Sequence, residues 1–158
     1  MQNTSRRGLN QGELVNILRA LGNRIYALDS TVNEGGAGLA GSSATQIDTK
    51  NEINYEISGV LYYLGIAAYA PDLTGLVNTG AGEFCKLRIE VNSGGTVSVK
   101  QGGIASAQAR ASVPPRSASK ATLGYVEIPD NHTFGVTTFA GLTYVNGDPD
   151  LSAQALEA

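Results

Sequence analysis

The hydrophobic period of this chain changes once, and the change limits the folds open to it. Leu14, Leu18, Leu21, Ile25, Leu28 and Val32 follow one another at steps of four, three, four, three and four, the period of about 3.5 residues that belongs to helices meeting along a seam. From Ile47 onward apolar and polar residues alternate, which is the period of a half-buried strand. Between the two lies GGAGLAGSSATQ, residues 35–46. The expected fold is mainly β: an N-terminal α-helix followed by a small antiparallel β-sandwich or barrel-like domain.

Residues 1–34 are read as the helix, an oligomerising stalk. Asn10 suits its N-cap, with Glu13 three residues later as the capping-box partner. Leu14, Leu21 and Leu28 take the d positions of a heptad, and Leu18, Ile25 and Val32 the a positions. Fewer than three heptads do not hold a free coiled coil, so the stripe needs a partner. Two arrangements offer one: a bundle of several chains, or the helix laid on its own β-domain. The unbroken spacing and the polar opposite face of Asn16, Arg19, Asn23 and Arg24 favour the bundle.

Residues 35–46 are read as a Gly-rich hinge, and 47–158 as the antiparallel β-domain with a C-terminal tail. INYEISGVLYYLGI, residues 53–66, alternates on both sides of Ser58-Gly59, a tight-turn pair. FCKLRIEVNSGGTVSVKQGG, residues 84–103, gives a second hairpin turning at Ser93-Gly94-Gly95. A small-residue loop with Pro114-Pro115 follows, a pair that does not join a central strand. Further strands are expected at 123–128, 133–138 and 142–145.

Charged residues make up 16% of the chain and Gly supplies 20 of its 158 positions. The usual charged share of a soluble domain is about 25%, so part of this surface is expected to be covered by a partner. A net charge of -3 and a pI near 5.1 give no basic field, which argues against nucleic acid. With Cys85 as the only cysteine no intrachain disulfide forms, and its apolar neighbours point to a buried structural thiol. Neither a signal peptide nor a membrane span is expected.

The chemical motifs lack the settings their chemistry requires. GAGLAG, residues 36–41, matches the dinucleotide pattern G-x-G-x-x-G, which needs a strand before it and a helix after it to present amides to a pyrophosphate. Here a helix tail precedes and SSATQIDTKN follows, so no cofactor is expected. Ser117-Ala118-Ser119-Lys120 matches S-x-x-K without companion motifs. Asp148 and Asp150 flank a Pro in a turn and lack the later acidic ligand of a calcium loop. His132, the only histidine, is expected as a polar turn residue. No metal site and no catalytic residues are assigned.

The β-region carries a resemblance as well. INYEISGVLYYLGIA, then EFCKLRIEVNSGGTVSVKQGG, a small-residue stretch with Pro, LGYVEI, and finally HTFGVTTFAGLTYVNGD resemble a module recurring in tailed-bacteriophage and prophage structural proteins. The resemblance spans about residues 47–146 and leaves out the helix and hinge. It implies a capsid decoration (cement) or head-fibre protein: a non-enzymatic homotrimer, assembled in the bacterial host cytoplasm, that binds the major capsid protein on the outside of the virion head. The stripe residues would then hold the trimer, and Arg6 and Arg7 would meet acidic capsid surface. A second expectation is a receptor-binding or tail-fibre module whose Tyr62, Tyr63 and Tyr69 stack on a bacterial surface glycan. A carbohydrate-active enzyme is the weakest reading, for want of an acid pair.

Overall fold

In a computed structural model of the chain, the structure describes residues 36–147. The stripe Leu14, Leu18, Leu21, Ile25, Leu28 and Val32, the pair Arg6 and Arg7, and Asp148 and Asp150 lie outside the described residues. Within them the chain is mainly β, in three antiparallel sheets, and its helical content is one 3-10 turn at Gln108–Arg110. The strands are β1 (Ala40–Gly41), β2 (Ile47–Asp48), β3 (Ile53–Ile57), β4 (Val60–Leu64), β5 (Ala68–Tyr69), β6 (Cys85–Asn92), β7 (Val97–Gln101), β8 (Lys120–Ile128) and β9 (Thr143–Asn146). They form a small sheet β1-β2-β5, the hairpin β3-β4, and a main sheet β7-β6-β8-β9.

Both expected hairpins are present. At the first, Ser58 and Gly59 have φ of 52° and 77°, the two positive angles that a type I′ turn needs. At the second, the Asn92 side chain accepts from the N–H groups of Gly94 and Thr96 at 2.9 and 3.0 Å, so the turn is closed from its first residue. The strand expected at 123–128 belongs to the longer β8, and that at 142–145 to β9. No strand forms at 133–138. There Gly135 has φ 78°, the Thr133 carbonyl accepts from Val136 and Thr137, and the Thr137 hydroxyl accepts from Thr133 N–H at 3.1 Å, which turns the chain back on itself.

One hydrophobic core is shared by all three sheets. Ile47 comes from β2, Ile53, Tyr55 and Ile57 from β3, Leu87, Ile89 and Val91 from β6, Leu123, Val126 and Ile128 from β8, with Phe139 from the following loop. The pairing of β6 with β8 shifts register between Ile89 and Glu90, where β8 holds an extra residue. This bulge turns both Leu123 and Val126 inward although they are three apart. Gly124 is required at it, since a Cβ there would collide with the Val145 carbonyl.

The described part of the expected hinge, 36–46, is built into this domain. Ala37 and Leu39 are core residues, β1 pairs with β2, and Phe139 N–H donates to the Ser43 carbonyl at 2.9 Å. Gly41 lets the chain approach so closely that a Cβ would strike the Phe139 carbonyl. The GAGLAG glycines thus serve close packing, and the segment leads into a strand and not a helix. Gly36 lies against Asn146, whose Oδ1 accepts from Leu39 N–H at 2.9 Å.

Strand β6 is covered on both faces. Arg88 and Glu90 lie on the face opposite Leu87, Ile89 and Val91, and their exposures are 0% and 1%. The loop bearing Pro114 and Pro115 crosses that outer face. Arg88 Nε donates to the Pro114 carbonyl at 2.7 Å and Nη1 to Thr122 Oγ1 at 2.9 Å. Lys100 Nζ donates to the Pro115 carbonyl at 2.8 Å, and Ser117 N–H to Glu90 Oε1 at 2.6 Å. Prolines that have no N–H to give are anchored through their carbonyls.

Candidate interaction surface

The hairpin β3-β4 presents the most apolar exposed surface of the described residues. Its inner face carries Ile53, Tyr55, Ile57 and Leu64, all buried. Tyr55 donates from its hydroxyl to the Asn92 carbonyl at 2.8 Å, and Tyr62 stacks on the Tyr55 ring at 5.5 Å. These contacts fasten the hairpin across the end of β6. On the opposite face Leu61 is 69% exposed and Tyr63 57%, while Val60 beside the turn is 51% exposed and Ile66 past the strand end 60%. Residues 60–71, VLYYLGIAAYAP, contain no charged side chain.

The backbone adds a second property. In a hairpin closed by a two-residue turn the pair flanking the turn exchanges ladder hydrogen bonds, and the exchange then recurs at alternate pairs. Here those pairs are Ile57–Val60, Tyr55–Tyr62 and Ile53–Leu64. The N–H and C=O groups of Leu61 and Tyr63 therefore point away from β3. The sheet has two strands, so this edge of β4 is unpaired among the described residues. Native edges are commonly blunted by Lys, Pro or a bulge, and β4 has none of these.

The three tyrosines considered for glycan stacking do not share one face. Tyr62 and Tyr63 are successive strand residues and point to opposite sides. Tyr63 and Tyr69 meet at Gly65, whose carbonyl accepts from the Tyr69 hydroxyl at 2.9 Å and whose Cα lies beside the Tyr63 ring. The Glu52 carboxylate beside the Tyr63 phenol raises it above its ordinary value.

The remaining sequence candidates are dispersed. Lys120 Nζ donates to Ser98 Oγ at 2.7 Å and stands 3.9 Å from Glu90 Oε2, while Ser117 is held by its backbone, so the S-x-x-K residues are engaged separately. Cys85 is fully buried, as expected, with Gln101 Nε2 donating to its Sγ at 3.3 Å, and burial pushes its thiol up. His132, expected as a polar turn residue, is wholly buried between Phe134 and Phe139, at ring distances of 5.0 and 5.4 Å. Neither ring nitrogen has a hydrogen-bond partner, and burial lowers its pKa. Its backbone explains the burial: Thr79 Oγ1 accepts from His132 N–H at 2.9 Å, and Thr79 N–H donates to the His132 carbonyl at 3.1 Å.

Among the described residues no helix is long and apolar enough to cross a membrane. Compared with protein-family models, curated proteins and solved structures, the chain matches none significantly.

Proposed function

We propose that the chain is a structural virion protein, a decoration protein that binds the major capsid protein on the outer surface of a tailed-phage head and stabilises the shell. The observation that carries the reading is the uncharged, outward-facing strand β4, a surface suited to assembly. The heptad spacing of Leu14, Leu18, Leu21, Ile25, Leu28 and Val32 supports a homotrimer in which an N-terminal helix carries a barrel-like β-domain. In this reading Arg6 and Arg7 would meet acidic capsid surface. Each bound trimer buries area across neighbouring capsid subunits, so shell rupture must break those contacts too. Identical feet act as one multivalent unit.

The test is co-sedimentation of the purified chain with undecorated capsids, followed by heating. The chain is expected in the capsid pellet, and the decorated shells should rupture at higher temperature than bare ones. A chain that stays in the supernatant with capsids and pellets with host polysaccharide replaces this reading with glycan recognition. The proximity of Tyr63 and Tyr69 at Gly65 is the observation that favours that second reading.

A further inference from the structure

We infer that β4 is a self-pairing edge: two copies of this chain join through antiparallel β4 strands related by a two-fold axis at Tyr62. The inference rests on the assembly reading above and names the occupant of its exposed strand.

Three observations select a second copy. The first is the backbone. When Leu61 of one copy lies opposite Tyr63 of the other, the outward N–H and C=O groups of both residues in both copies find partners at once. The second is the side chains. In that register Leu61, 69% exposed, meets Tyr63, 57% exposed, twice on the same outer face. Aromatic and aliphatic residues directly opposite one another are a favourable cross-strand pair, and the two-fold axis makes the surface complementary to itself. The third is charge. A two-fold axis sets every residue near it beside its own copy, so a charged side chain there would repel itself. Residues 60–71 carry no charge.

Size sets how the contact works. A stable standalone interface buries about 1,600 Å², more than one pair of five-residue strands provides. The contact is therefore weak for a lone domain and becomes firm when each oligomer offers several edges. Trimers joined in this way would link to their neighbours across two-fold axes.

The test is the solution mass of the full chain and of Leu61→Lys, by light scattering over a wide concentration range. Leu61 is exposed, so the substitution leaves the core intact. The wild type is expected to gain mass with concentration, and Leu61→Lys to stay at the mass of the unpaired unit, half the wild-type limit if that unit carries one edge and less than half if it carries three. If the unpaired unit is a monomer and not a trimer, the helical stripe reading fails while the strand pairing stands. Equal masses for the two proteins overturn the pairing, as does a wild type of constant mass. If Leu61→Lys instead loses only capsid binding, β4 docks on the capsid and the second-copy assignment is wrong.

The register has its own check. Residues opposite each other in a hydrogen-bonded pair have Cα atoms about 5.5 Å apart, within disulfide reach, while separations beyond about 7 Å are not. Mixing Leu61→Cys chains with Tyr63→Cys chains under mild oxidation should give a cross-linked heterodimer, and each variant alone much less. Equal cross-linking in all three samples overturns the register.

Discussion

At His132 the interior holds an imidazole with neither ring nitrogen bonded. Burial disfavours its charged form, so the folded state binds its proton less readily than the unfolded chain does. The contribution of this residue to stability is fully present above the unfolded value of about 6.5. It is lost as pH falls from there toward the lowered folded value, by at most about 1.4 kcal/mol per pH unit. His132→Leu removes both unbonded nitrogens and the titration. Urea unfolding at pH 7 and pH 5 should show the wild type losing stability between them through this group and the variant losing less; equal losses would contradict the account. The sequence placed His132 in a turn after Asp130-Asn131, and a turn is there, but the two bonds to Thr79 that draw the ring inward join residues more than fifty apart. Local pattern does not carry that information. The burial of Arg88 and Glu90 is hidden for a related reason: alternation separates the two faces of a strand without saying whether a distant loop returns over the outer one.

Among the elements, the Pro114–Pro115 crossing is fixed by side chains of the strands it covers. Arg88→Met should cost about 1–3 kcal/mol in denaturant unfolding, because it takes the donors away from the Pro114 carbonyl and the Thr122 hydroxyl in a buried layer. Lys100→Met, which removes the exposed bond to the Pro115 carbonyl, should cost much less, since water replaces it. If the two variants lose equal stability, the burial argument is wrong. The hairpins were legible because their signals are local: Ser58-Gly59 supplies the positive φ pair, and Gly94-Gly95 follows a strand of regular alternation. The two-residue strands β1, β2 and β5 are too short for any period, and Gly36 to Gly41 read as hinge because close packing and flexibility both call for glycine. At β8 the extra residue of the bulge breaks the alternation that the sequence was read by. The exposed face of β4 was legible in part, as tyrosines in a strand, but its free edge depends on which strands end up as neighbours.

For the molecule as a whole, one core spanning three sheets predicts one cooperative unfolding transition over the described residues. Cys85 is a convenient reporter, being fully buried and the only thiol. Its reaction with a thiol reagent should be slow in the native protein and rise with urea along the same curve as the far-ultraviolet circular dichroism signal. A thiol that becomes reactive well before the strands are lost would mean that the main sheet opens separately. The contact between Gly36 and Asn146, with Leu39 N–H on the Asn146 side chain, brings the two ends of the described residues side by side. The described part of the β-domain thus begins and ends at one point. A fold with its doorway in one place is portable: residue 147 can be joined to residue 36 by a short linker and new ends opened at Ser58-Gly59, or the whole unit can be spliced into a surface loop of another protein without stretching the host.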